Sequence, residues 1–194
     1  MGEVVELRPR AREEFTSSLG MFIALGSWAM MFGALFFTYA GVRSRAVTWP
    51  PPGTPHLPVA LPALNTLVLL GSSVAMSVGI RALSRGNRRA IVPALSIASV
   101  LGAVFLALQL VVWRDLWQKG LLPSTGVYGS VFYGLTALHA VHVLAGLVVL
   151  LVLLGRALGG GYTEHNVMKV RVPVMFWHFV DAVWLLMFFA VYLF

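Results

Sequence analysis

No cysteine occurs anywhere in the chain. That excludes disulfides, thiolate metal sites, iron–sulfur clusters and covalent haem attachment through Cys-x-x-Cys-His. Charge is also scarce, at 11% of 194 residues, and only seven of those residues are acidic. Against this, 59% of the chain is hydrophobic. A soluble domain of this size does not carry so little charge, so the composition is that of a membrane protein with almost no separate soluble part. The net charge of +7 does not mark a nucleic-acid-binding face, because the basic residues lie in short connections between apolar runs. Residues 1–16 mix Arg8, Arg10 and Arg12 with Glu3, Glu6, Glu13 and Glu14 and contain no apolar signal core. They are expected to form a short solvated segment.

Five apolar runs follow, at about 17–42, 59–80, 90–113, 127–155 and 172–194. Each is long enough to cross a bilayer with some tilt. Backbone groups in lipid must be satisfied within the segment, and no alternation of the barrel kind is visible, so the runs are expected to be helices. The fold class is therefore all-α, an integral membrane bundle of five transmembrane helices spanning 17–194. Ten of the fourteen Lys and Arg residues fall in the N-terminal segment and in the second and fourth connections. The N-terminus is therefore expected inside and the C-terminus outside.

The connection Trp49–Pro58 carries five of the ten prolines and is expected to be an extended outer loop. Trp113 and Trp117 fit an aromatic belt at the outer interface. Small residues recur at helical spacing: Gly71, Ala75 and Gly79 on the second helix, and Ala29 and Gly33 on the first. Such stripes let helices approach closely, within the chain or against another subunit.

Inside the runs, polar residues are few. His139 and His142 share one face of the fourth helix, and His178 and Asp181 one face of the fifth. Asn65 and Thr66 on the second helix and Gln109 on the third add polar atoms. A carboxylate in hydrocarbon costs roughly 2.5–3.5 kcal/mol, so Asp181 is expected to face protein and to have a partner. Three arrangements fit these residues: an interhelical lock with Asp181 accepting from His139 or His142, a haem or metal site, and a His–Asp proton relay. The lock is the leading expectation, since a four-helix di-metal centre needs several carboxylates and only Asp181 is present.

Phe176-Trp177-His178-Phe179-Val180-Asp181-Ala182-Val183-Trp184 resembles the Tyr/Phe-Trp-His-Phe-Val-Asp-x-Val-Trp signature of subunit III of haem–copper terminal oxidases. Val127-Tyr128-Gly129-Ser130-Val131-Phe132, the His139–Gly146 segment, Leu61–Leu70 with its Asn65-Thr66 pair, and Gln109 are similar to further segments of that family, in the same order. The resemblance implies a five-helix bacterial form of the subunit in the plasma membrane, packed against catalytic subunit I and other oxidase subunits. It implies no haem, copper or catalytic residue in this chain; those belong to the partner subunits of a complex that reduces O2 to water and moves protons in aerobic respiration. Bound phospholipid is also implied; a nucleic-acid partner is not. The alternatives are the matching subunit of a quinol oxidase or of a nitric-oxide-reductase cluster, and, in another class, a free-standing membrane cytochrome using His139, His142 and His178. Three glutamates usual in the family stand here as Trp28, Val112 and Arg171. Their loss argues against a direct proton role and for a scaffold.

Overall fold

A computed structural model describes residues 9–162 and 167–193. Five long helices account for most of it: α1 Pro9–Arg45, α2 Ala60–Ser84, α3 Ile91–Gln118, α4 Val127–Leu158 and α5 Met168–Met187. A 3-10 turn, Arg88–Ala90, leads into α3, and α5 runs on as a π-helix over Phe188–Leu193. All five helices are long and apolar enough to cross a membrane. No strand forms among the described residues, so the expected fold class holds.

The helices outrun the apolar stretches that predict them. The first helix begins at Pro9, inside the segment expected to be solvated, whose residues 1–8 lie outside the described residues. The helix α2 continues to Ser84, α3 to Gln118 and α4 to Leu158. Hydropathy marks where lipid ends, whereas the backbone hydrogen-bond ladder runs on until a residue stops it. At the end of α3 that residue is Gly120, at φ 85°. Its left-handed turn lets Leu121 N–H reach the Leu116 carbonyl at 2.9 Å. Prolines sit at the third residue of both α2 and α3, where the missing N–H has no intrahelical partner to lose.

The fifth helix is the most buried of the five and packs against α1, α2 and α4. Its Trp177 and Trp184 are fully enclosed. The Trp177 indole is wedged between two glycines: a Cβ at Gly102 of α3 would stand 2.7 Å from the ring, and one at Gly146 of α4 would stand 2.8 Å from it. The most extensive helix pair is α2 with α3. There a Cβ on Gly79 would lie 2.3 Å from Ala94 Cβ, while one on Gly71 would make an ordinary 3.5 Å contact with Leu101. The α2 stripe of Gly71 and Gly79 thus serves packing within the chain, and half-buried Ala75 lies between them. On α1, by contrast, Gly33 faces open space, as do the large side chains of Phe22, Met30 and Phe37.

The proline-rich connection is held to the bundle by Trp49. Its ring lies 5.6 Å from Tyr39 and 4.9 Å from Tyr128, with the Arg43 guanidinium 6.0 Å above it. Trp113 is tied to α4 by its Nε1–H, which donates to Thr136 Oγ1 at 3.2 Å, while Trp117 is left exposed.

The wedge gives a direct expectation. Gly146→Ala or Gly102→Ala forces the Trp177 ring out of its slot and costs about 1–3 kcal/mol, the usual range for overpacking. Gly33→Ala, with nothing in its way in the interior of α1, raises stability by up to about 1 kcal/mol through helix propensity. Thermal unfolding of the purified variants in one detergent measures both.

Candidate functional site

Antiparallel packing of α5 on α2 aligns two series of polar side chains. Trp177, His178, Asp181 and Trp184 recur at one, four and seven residues along α5, on one helical face. Opposite them α2 presents Thr66, Ser72, Ser73 and Ser77. Trp177 Nε1–H donates to Ser72 Oγ at 2.9 Å, and Trp184 Nε1–H to Thr66 Oγ1 at 2.9 Å. Those two hydroxyls spend their own protons on backbone carbonyls of α2: Ser72 on Leu69 at 2.6 Å, Thr66 on Pro62 at 2.8 Å. Donor and acceptor are matched at each pair, as a water-free interior requires.

His178 lies between two serines, with Nδ1 3.1 Å from Ser73 Oγ and Nε2 3.3 Å from Ser77 Oγ. A neutral imidazole donates through one nitrogen and accepts at the other, so the two hydroxyls take opposite roles. The Ser73 hydroxyl also faces the Asp181 carboxyl. Asp181 is 5% exposed, and its Oδ1 has no hydrogen-bond partner among the described residues.

This corrects the expected lock. Asp181 is not bonded to His139, both of whose ring nitrogens are buried without a partner. His139 sits among aromatic rings instead, stacked on Trp184 at 5.3 Å and edge-on to Phe105 at 5.8 Å and Phe32 at 6.4 Å. His142 donates from Nδ1 to the Leu138 carbonyl one turn back at 2.8 Å, and its ring meets Trp28 and Phe32. His142 faces α1, His139 is enclosed by rings of α1, α3 and α5, and Asp181 faces α2.

The remaining polar positions divide. Asn65 Nδ2 donates to the Phe105 carbonyl at 3.2 Å and so ties α2 to α3, leaving its Oδ1 unpaired. Gln109 lies by Tyr192, and neither its amide nor the Tyr192 hydroxyl has a hydrogen bond. Among the described residues no three of His, Cys, Asp and Glu gather as a metal-binding group. At the positions of the three usual glutamates, Trp28 packs on Phe176 at 4.9 Å, Val112 is fully buried, and Arg171 is exposed. The serines of α2 and the wedge glycines Gly102 and Gly146 were not singled out from sequence. Thr66, Ser73 and Ser77 recur at seven and eleven residues, a one-face spacing that would have exposed the seam.

A Ser73→Ala/His178→Ala double-mutant cycle yields a coupling of about 0.6 kcal/mol and at most ~1.7, the range for hydrogen bonds between membrane helices. The Asp181→Ala/His139→Ala cycle yields none. Unfolding in mixed micelles reads both.

The family model described as cytochrome c oxidase subunit III matches residues 12–194. The chain is 35% identical to cytochrome c oxidase subunit 3 of the cyanobacterium Synechocystis sp., over 90% of this chain and 74% of that protein. It is 36% identical to the subunit 3 of Paracentrotus lividus, over 91% of this chain and 65% of the relative. It is 37% identical to that of Osphranter robustus, over 89% and 67% respectively. The chain thus spans about two thirds to three quarters of the length of these relatives. A match that runs through all five helices, carrying the α5 segment from Phe176 to Trp184, shows that the chain belongs to the cytochrome c oxidase subunit III family.

Proposed function

We propose that this chain is an accessory, non-redox subunit of a proton-translocating haem–copper oxidase of the cytochrome c type. The complex reduces O2 to water in aerobic respiration and is seated in a bacterial plasma membrane. The single observation that carries this reading is the family match over residues 12–194, which takes in every span. Haem and copper then belong to the catalytic partner, subunit I, and this chain contributes a rigid helical mass beside it. Donor chemistry supports that division. The chain has no cysteine, His142 Nδ1 is bonded to Leu138, and His139 is packed among aromatic rings. The polar side chains of the seam bond one another and the backbone, which suits a part that keeps its shape.

The scaffold reading also accounts for Trp28. An indole at that position of α1 packs on Phe176 and His142 and carries no exchangeable carboxyl proton. His139, His142, His178, Asp181, Gln109 and Asn65 are on this reading structural, and the exposed apolar side of α1 is where lipid or a neighbouring oxidase subunit is to be sought.

Two experiments test the proposal. An affinity tag on this chain should bring down a haem–copper subunit, with all haem absorbance assigned to that partner. Stoichiometric haem on this chain alone, lost in His142→Ala, would favour the membrane-cytochrome alternative instead. Within the complex, Asp181→Ala should lower recovery of the subunit more than it slows turnover of the complexes that still contain it. An assembled but inactive variant would sink the scaffold role.

Orientation is separately measurable because the chain lacks cysteine. With the N-terminus inside and the C-terminus outside, a single Thr54→Cys in the first connection should react with an impermeant maleimide in intact cells. A single Asn87→Cys between α2 and α3 should react only after lysis.

A further inference from the structure

His142 sits at the midpoint of α4, 15 residues from Val127 and 16 from Leu158. At about 1.5 Å per residue, roughly 23 Å of helix separates it from either end. The hydrocarbon layer extends only about 15 Å to each side of its centre, so the ring lies deep in the bilayer. Its Nδ1 is 2.8 Å from the Leu138 carbonyl. A carbonyl can only accept, so Nδ1 carries the proton and Nε2 presents a bare lone pair. Among the described residues no donor meets that lone pair. Trp28 and Phe32 approach the ring edge-on, with centroids 5.8 and 5.2 Å away, and neither is hydrogen-bonded to it. Nor is Nε2 sealed inside the protein, as both nitrogens of His139 are. The His142 side chain is half-buried, and its free nitrogen opens at the outside of the bundle.

An acceptor at that depth has few possible partners. Water is excluded from the hydrocarbon, lipid tails carry no donor, and headgroups stand at the two surfaces. A metal is a poor fit, because among the described residues no group of His, Cys, Asp and Glu side chains gathers to hold one. A donor is therefore to be sought on another protein segment that crosses the membrane beside α4. The surface there suits a helix. Leu138, His142, Ala145 and Val149 recur at four, seven and eleven residues and so share one face. Ala145 and Val149 are exposed, as are Val141, Leu144 and Val148 next to them. The small side chain of Ala145, one turn from the imidazole, lets a second backbone come close.

We propose that the His142 face of α4 docks a transmembrane helix of a partner protein, which gives His142 Nε2 a hydrogen bond from a hydroxyl, amide or indole side chain. On the accessory-subunit reading, which this assignment presupposes, the partner is another subunit of the oxidase. Apolar contact alone would let the incoming helix slide along α4. A single acceptor in an apolar face admits only the register that brings the donor to it, as a lone polar residue does in a coiled coil.

The test uses the tagged full-length chain, purified from membranes in mild detergent with whatever accompanies it. A photoreactive p-benzoylphenylalanine in place of exposed Ala145 should cross-link under ultraviolet light to a membrane-embedded segment of another oxidase subunit. His142→Phe keeps a ring and removes the acceptor. It should raise loss of this chain from the complex during detergent washing about threefold, the effect of one average hydrogen bond between membrane helices. His142→Gln, which restores an acceptor, should recover part of that loss. If no oxidase subunit accompanies the chain, the accessory-subunit reading and this assignment fall together. If one does, but Ala145→p-benzoylphenylalanine labels only lipid or a small extractable molecule such as a quinol, the assignment alone is overturned. Retention of His142→Phe equal to that of the unaltered chain overturns it as well.

Discussion

A polar group carried into hydrocarbon has no water to return to, so it must be matched inside the protein. In this chain that constraint falls hardest on α5, which carries two buried indole N–H groups, a buried carboxyl and a half-buried imidazole along one face. The answer is a second helix carrying hydroxyls at the same repeat. An antiparallel register satisfies Trp184 with Thr66, Trp177 with Ser72, and His178 with Ser73 and Ser77 together. Sliding α5 by one residue would break every one of these pairs at once. The bonds fix register more than they supply energy, since each contributes only about 0.6 kcal/mol on average between membrane helices. The larger share of cohesion comes from close contact, as where Gly79 lets α2 meet Ala94 of α3 and where the Trp177 ring lies between Gly102 and Gly146. Hydrogen bonds select the alignment and packing holds it.

The same distinction explains why α1 differs from the rest. Among the described residues it makes no hydrogen bond to the seam, and it is held by rings: Trp28 on Phe176 and His142, and Phe32 on His139 and His142. Aromatic pairs accept stacked and edge-on arrangements over centroid separations of about 4.5–7 Å, so they fix register less narrowly than hydrogen bonds do. A helix attached in this way, with most of its surface apolar and bare, suits a boundary element between this subunit and whatever lies beside it. An acidic side chain at position 28 would have needed a polar partner there. The indole needs none, so the departure from the family pattern is self-consistent with its surroundings.

How much of this could be read beforehand depends on the kind of signal. The five spans were legible because hydropathy is summed over some twenty residues, and the error of any one position cancels. Helix ends were not, since Arg81 to Ser84 and Arg114 to Gln118 are polar enough to leave the apolar run yet remain good helix formers. Asp181 was recognised as needing a partner, and the need was real. The partner was misassigned because histidines are conspicuous in an apolar segment and serines are not. Two residues at equal depth on neighbouring helices meet only if their faces agree, and that angle is set by packing. The stripe of α2 was legible as a stripe, but the glycines that admit Trp177 lie on α3 and α4, and their purpose is visible only once the ring is in place.

Within the seam, hydroxyl commitments separate rigid from adaptable parts. Thr66 and Ser72 each give their proton to a carbonyl of their own helix while accepting from an indole that can only donate. Neither can reverse its direction without leaving a buried donor unpaired, so that half of the seam is fixed. Ser73 and Ser77 are different, because both turn to His178, whose two tautomers exchange donor and acceptor roles. A change of tautomer there requires that two hydroxyls rotate, and in the form where Ser73 donates to the imidazole its proton is withdrawn from Asp181. The adaptable half also includes Asp181, whose Oδ1 is unpaired among the described residues. Alterations near Ser77 should therefore be absorbed locally, whereas alterations near Thr66 and Ser72 should be felt as a loss of helix register.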